Sequence, residues 1–319
     1  VALLPREGHL ACPCCGASYS LGDGFVDLVP KAELGERTAY ADQEFQERLH
    51  ARDVEPLLSA RVKADMMRLF LRPGPDESVL DLGCGPGKLA LFTGRDGARV
   101  TGLDLAPFFF PRARRTVDLV NGDLRRLPFR KGSHPKAYSL DVLEHLDEDG
   151  VREVLVETRR VLGPGGRLFV YTHAMESSSL AAFQRGVNRL ARRLGEAGLL
   201  DHEAGALKKS DHRNPIRSHE HFDELAGGAG LRVTKRRYYN VILKPVVEDL
   251  LLQMVEHRGR KGKGGGAAPA AKDLSGGRPP GLLALLAGRA LSWLLKWDVV
   301  LFGGVRTGPF FSLLETRRP

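Results

Sequence analysis

The period of the apolar positions changes twice within residues 79–105. Val79, Leu80 and Leu82 run together as a buried strand would; three alternate glycines, Gly83, Gly85 and Gly87, follow, and apolar residues then resume at helical spacing. The pattern predicts a strand, a tight loop and a helix, then a second short strand over 99–103 that delivers Asp104 at its end. Upstream, Phe45, Leu49, Leu57, Leu58, Val62, Met66, Leu69 and Phe70 recur at helical spacing over 34–71. A break near Pro56 makes two helices of them, closed by Pro73, Gly74 and Pro75. Downstream, a helix is expected over 107–115, a strand over 116–120, a strand over 137–142 and an amphipathic helix over 151–162 stopped by Gly163, Pro164 and Gly165. A strand over 166–172 and a basic helix over 176–200 carrying Arg185, Arg189, Arg192 and Arg193 come next. Ser218 then starts a helix that glycines stop at 227–230, and two strands close the series.

Strands alternating with helices predict a doubly wound, Rossmann-like α/β fold with a seven-stranded mixed sheet and flanking helices. The glycines suit a loop whose backbone must take angles closed to side chains and let a ligand approach the main chain. Asp104, at a strand end, is placed to meet a pair of ribose hydroxyls. Gly85, Gly87 and Ala90 also fit the relaxed dinucleotide fingerprint, so the glycines alone fit either a dinucleotide or another adenosyl cofactor.

Asp81 ahead of the loop completes D-x-G-x-G-x-G, which resembles motif I of the class I S-adenosylmethionine-dependent methyltransferases. The resemblance runs through an ordered series of motifs over residues 76–243, including VNGDLRRLPF, the D-V-L-E-H run ending at His145, and VLGPGGRLFV. It implies methyl transfer from S-adenosylmethionine, with Asp81, Gly83, Gly85 and Gly87 around the cofactor and Asp104 with Leu105 at the ribose. In the same scheme Asp123 accepts from the adenine amine, Leu124 lines the base, and Asp141 faces the methionine portion. The chain departs from the family where His134 and Pro135 replace the usual FD pair before the strand. Two histidines compete for the role of catalytic base. His145 lies one turn beyond Asp141, and His173 directly follows a strand at the rim where open sheets of this kind do their chemistry.

The chain of 319 residues carries a net charge of +9, which favours an anionic partner, either nucleic acid or a membrane surface. Residues 257–278 hold six cations against Asp273 alone, five of the nine net positive charges. Four cysteines, three of them at Cys12, Cys14 and Cys15, form no disulfide framework for a chain of this length, so a reducing compartment, the cytoplasm, is expected. No secretory leader reads from the first residues, and the absence of an initiator Met points to a trimmed start or an alternative start codon read literally. Cys12 and Cys15 have the C-x-x-C spacing of a zinc knuckle, but tetrahedral zinc needs four ligands and no second pair follows. The segment resembles the second half of the zinc-ribbon module found ahead of some methyltransferases. His212, His219 and His221 are spaced too loosely for a metal motif, and the helix begun at Ser218 accounts for them.

Four regions follow: a knuckle-like segment over 1–30, the catalytic domain with a helical lid over 34–252, a basic linker over 257–280 and an amphipathic tail over 281–319. Residues 281–302 are the most apolar part of the chain, but Arg289, Lys296 and Asp298 interrupt them, which disfavours a membrane span. Trp293 and Trp297 share a helical face. Two placements remain open for this helix: the interface of an anionic membrane, at its inner face, or an ordinary core contact with the domain or a second copy. The interfacial placement points to a small-molecule or lipid acceptor such as an isoprenoid, a quinone precursor or a lipid-linked glycan. RNA methylation is the second reading, and a non-catalytic partner protein keeping the fold is the third.

Overall fold

The structure, a computed structural model, describes residues 4–6, 9–13, 16, 18–29, 55–176, 180–196, 212–247 and 282–317. The central strands are β5 (Ser78–Leu82), β6 (Arg99–Asp104), β7 (Asp118–Asn121), β8 (Lys136–Leu140) and β9 (Arg167–His173), all parallel. β10 (Leu231–Tyr238) and β11 (Pro309–Thr316) complete them, in the order β7-β6-β5-β8-β9-β11-β10 with β11 antiparallel to both neighbours. The expected seven-stranded mixed unit is therefore present. Four short strands extend it to eleven: β1 (Leu4–Arg6), β2 (His9–Ala11), β3 (Ser18–Gly22) and β4 (Phe25–Asp27), the last pairing in parallel with β7.

Both faces of the sheet are covered. On one lie α1 (Leu58–Leu71), α2 (Lys88–Thr93) and α6 (Leu282–Phe302); on the other lie α3 (Glu148–Leu162) and α5 (His219–Gly228). α4 (Ala181–Glu196) leads off after β9. A strand buried on both sides needs apolar residues at successive positions. β11 shows this: Phe310 and Leu314 enter the core under α3 and α5, while Phe311 and Leu313 enter the one under α1 and α6. The stacked rings of Phe169 and Phe311, 5.9 Å apart, link β9 to β11 within the second core, and Phe70 of α1 closes edge-on over Phe169 at 5.5 Å.

Three sequence expectations change. Only one strand, β10, follows α5; the second comes from 309–316, in the segment expected to be a separate tail. The nonlocal pairing of β11 between β9 and β10 is responsible, and it draws α6 into the domain. The helix expected over 107–115 shrinks to the single turn Ala113–Thr116, because Pro107 and Pro111 supply no N–H and Phe110 N instead donates to Pro86 O at 2.9 Å. α3 begins three residues early, since the Asp147 side chain caps it by accepting from Gly150 N at 2.8 Å. Ser218 caps α5 as expected, accepting from His221 N at 3.1 Å. The first of the two helices expected over 34–71 and the linker 257–280 lie outside the described residues.

α6 is docked by its charge. Asp298, fully buried, accepts from the backbone N–H groups of Val241, Ile242 and Leu243 at 2.8, 2.9 and 2.7 Å. Leu295 and Val299 enter the core beside it, whereas Trp293 is 60% exposed and Leu286, Trp297, Val300 and Leu301 also face outward. Among the described residues no helix is long and apolar enough to cross a membrane.

Candidate functional site

The glycine loop leaves β5 in the left-handed region, with φ of 77° at Gly83, 51° at Gly85 and 85° at Gly87, the residue before α2. At Gly83 a Cβ would overlap the Val142 side chain; at Gly85 it would meet nothing within 4 Å. Gly83 therefore serves packing, and Gly85 borders open space where a ligand can lie against bare main chain. Asp104 fastens the loop: its Oδ2 accepts from Gly85 N at 2.7 Å and its Oδ1 from Ala106 N at 2.9 Å. Burial pushes the Asp104 carboxyl up, against the pull of those N–H groups. The Leu105 carbonyl accepts from Asn121 Nδ2 at 2.8 Å, which ties the tips of β6 and β7 together.

Asp81 lies deeper than the sequence implies. It is 3% exposed, and its Oδ2 accepts from the Tyr138 hydroxyl at 2.8 Å. Burial pushes its carboxyl up to about 8, with the charge of Asp104 adding to the effect. Asp81 is thus tied to β8 through Tyr138 and is buried in the strand at the base of the loop. Asp123 follows β7, and Arg125 grips it through Nε and Nη2 at 2.8–3.1 Å. Burial works to raise the Asp123 carboxyl, but Arg125 outweighs it and holds the group below the ordinary range. Leu124, half-buried, packs on the main core.

Asp141, just past β8, takes φ 56°, an uncommon angle for a residue with a side chain, and Lys63 of α1 holds its carboxylate at 2.6 and 2.7 Å. The same Lys63 ammonium stands 4.3 Å from the centroid of the Tyr171 ring. Beyond Asp141, a short turn, Leu143–His145, places Glu144 underneath and His145 half-buried. Glu144 is 1% exposed; its Oε2 accepts from Thr172 Oγ1 at 3.0 Å, and its Oε1 lies 3.2 Å from His173 Nδ1. Burial works to raise the Glu144 carboxyl, yet His173 outweighs it and keeps the group below the ordinary range. The ring of His145 meets that of His212 edge-on at 4.8 Å.

Residues 79–166 match the methyltransferase domain family. The chain is 39% identical over 120 residues to a protein encoded in a transposon of Streptomyces fradiae, covering 34% of each. It is 34% identical over 117 residues to the demethylmenaquinone methyltransferase of Tropheryma whipplei, covering 34% of this chain and 47% of that one. The fold matches the structure of phosphoethanolamine N-methyltransferase 2 of Haemonchus contortus in complex with S-adenosyl-L-methionine, with a TM-score of 0.55, 15% identity, and coverage of 95% of this chain and 62% of that one. The chain contains a class I S-adenosylmethionine-dependent methyltransferase domain. It spans less than half the length of the curated relatives named here.

In this methyltransferase domain the expected positions gather at the carboxyl ends of β5, β6, β7 and β8, around the loop at Gly85. The donor set suits an adenosyl sulfonium: bare main chain at Gly85, a carboxylate at Asp104 and an Asp141–Lys63 pair farther along the rim. Reading the sequence missed Lys63, Tyr138 and the Glu144–His173 pair. The available signal for that pair was that Glu144 lies in the turn just beyond β8 while His173 ends β9, its parallel neighbour. Two groups at the rim could hold a divalent cation, Glu144 with His145 and His212, and Asp141 with Glu144 and His173, each with ligand atoms within 4.8 Å of one another. His219 and His221 are elsewhere, both buried in the first turn of α5: His219 pairs with Glu176 at 2.6 Å and His221 Nδ1 accepts from Arg217 N at 3.2 Å. Cys12 follows β2, while Cys15, its partner in the expected zinc pair, lies outside the described residues.

Proposed function

We propose that this protein transfers the methyl group of S-adenosylmethionine to a lipophilic small molecule met at a membrane surface, with His173 taking the acceptor's proton. The observation that carries the reading is the buried Glu144 holding His173 Nδ1 at 3.2 Å, which orients the ring and turns Nε2 toward the Tyr171 hydroxyl 3.5 Å away, a long contact that an acceptor would displace. S-Adenosylmethionine, when bound, supplies a methyl carbon on a sulfonium that is already a good leaving group. The work left to the chain is alignment and exclusion of water. Gly85 lets the cofactor lie on the backbone, Asp104 meets the ribose hydroxyls, and Asp123 with Leu124 receives the adenine. Asp141 faces the methionine ammonium and Lys63 its carboxylate. His145, beside Glu144 in the same turn, orients the acceptor.

The outward apolar face of α6 supports a lipophilic acceptor, as does the named quinone-type relative. The test is an unbiased search for labelled methyl groups after incubating the full-length protein with membrane extract and labelled cofactor. Label in the organic-extractable fraction, reduced on the order of 10²-fold or more by His173→Ala, is the expected result. Label in RNA, or no label in any fraction, overturns the reading in favour of RNA methylation or of a partner protein without turnover.

A further inference from the structure

The apolar face of α6 and a cluster of cations meet at one cleft. Ser292 of α6 accepts from Leu58 N at 2.7 Å, which sets the helix against the start of α1. Between α6, α1 and the far end of α2 lies a cavity of about 450 Å³, walled by Arg61 and Arg68 from α1, Arg95 past α2, and Arg289 and Lys296 from α6. The guanidinium carbons of Arg61, Arg68 and Arg95 stand 4.9, 5.0 and 5.5 Å from the centroid of a single ring, Phe92. Three like charges therefore converge on one apolar platform.

The acids present do not balance them. Glu55 is divided between Arg289 at 2.7 Å and Arg95 at 3.5 Å; Asp65 is divided between Arg61 at 2.9 Å and Lys296; Asp96 pairs with Arg68. Among the described residues five cations face three carboxylates, so two positive charges of the cluster have no counterpart among them. A phosphate monoester carries about that charge, and the planar guanidinium fork matches its oxygens. Trp293 lines the same cavity and is 60% exposed, so the site has a polar floor and an apolar lip. An indole beside cations is the arrangement that sits at a headgroup boundary.

We infer that this cleft seats the phosphate monoester of an anionic phospholipid of the phosphatidate type while the adjoining face of α6 enters the membrane interface. The inference rests on the membrane-surface part of the proposed function and is independent of methyl transfer. It names which residues read the lipid: Arg95 and Arg289, which share Glu55 across the mouth, with Arg61 and Arg68 beneath.

The chain's two tryptophans, Trp293 and Trp297, both lie on α6, so intrinsic fluorescence reports this face alone. Full-length protein is titrated with phosphatidylcholine vesicles, with the same vesicles containing phosphatidate, and with inorganic phosphate. A blue shift and co-flotation with the phosphatidate vesicles are expected, at least tenfold weaker in the R95S/R289S variant with unchanged far-ultraviolet circular dichroism. Should that variant lose helix content, Arg289→Ser alone, at a side chain 57% exposed, replaces it with an expected loss of about fivefold, from one charge near the surface. Undiminished binding by the folded variants overturns the cleft as the phosphate seat while leaving membrane association intact. A response to inorganic phosphate without one to vesicles overturns the lipid occupant, as does displacement from vesicles by single-stranded RNA. Absence of any vesicle response removes both the inference and the membrane-surface reading, while cofactor binding, measured separately by calorimetry, stays unaffected.

Discussion

His173 Nδ1 lies 3.2 Å from Oε1 of Glu144, a side chain 1% exposed whose other oxygen accepts from Thr172. The pair ties the turn after β8 to the end of β9 and gives the imidazole one orientation. Replacing the carboxylate by an amide, Glu144→Gln, removes the charge that holds the ring. We expect kcat to fall on the order of 10²-fold while the Kd for S-adenosylmethionine stays within about twofold, because the cofactor-facing groups are elsewhere. Steady-state kinetics paired with calorimetry separates the two quantities. An equal loss in both would assign Glu144 to the architecture of the loop instead.

Gly83 and Gly85 share a positive φ but differ in what a side chain would meet. At Gly83 a Cβ would overlap Val142; at Gly85 it would enter open space. Gly83→Ala should lower stability by about 1–3 kcal/mol, through overpacking and backbone strain, visible as a shift of the urea midpoint. Gly85→Ala should cost only the strain of its backbone, about 1 kcal/mol, yet weaken cofactor binding tenfold or more, because the added methyl stands where the ligand approaches. Reversal of that order would contradict the loop geometry.

Asp81 gives a pH signature. Its carboxyl is pushed up to about 8 by burial and by the Asp104 charge, against an ordinary 3.8. Between those values the folded protein holds a proton that the unfolded chain has released, so this group's contribution makes stability fall as pH rises through the window and level off above it. The variant D81N, which keeps an acceptor for the Tyr138 hydroxyl without ionising, should gain on the natural protein from pH 4 to 8 and run parallel thereafter. Urea titrations at a series of pH values measure it, and parallel curves throughout would refute the buried, protonated state.

Asp298 should be the most sensitive position in α6. Removing its carboxylate strands three N–H groups, that of Val241 buried and those of Ile242 and Leu243 partly buried. Asp298→Ala should cost about 3 kcal/mol or more, since each bond to a charged acceptor is worth roughly 1.5–3 kcal/mol. Thermal unfolding of the full chain tests this. A change below about 0.5 kcal/mol, the size of an ordinary surface substitution, would show that α6 is not held by Asp298.

What was legible in the sequence was what depends on neighbours in the chain. The loop from Gly83 to Gly87 and the strand-end acids Asp104, Asp123 and Asp141 follow from local period and turn residues, and the structure gathers them at one edge of the sheet. Pairings across long separations were not legible. β11 enters between β9 and β10 after the whole of α6 has intervened, and nothing local in PFFSLLET separates a tail strand from an inner one. Asp298 read as an obstacle to burial because its partners lie more than fifty residues upstream. Nothing in the sequence marks Lys63, since only the packing of α1 over the sheet brings it to Asp141.

Titrating the full-length chain with S-adenosylmethionine in a calorimeter tests the central claim most directly. The account predicts saturable heat at one site per chain, abolished by Asp104→Ala, and no heat with NAD. Silence toward S-adenosylmethionine, or saturable binding of NAD in its place, would contradict it.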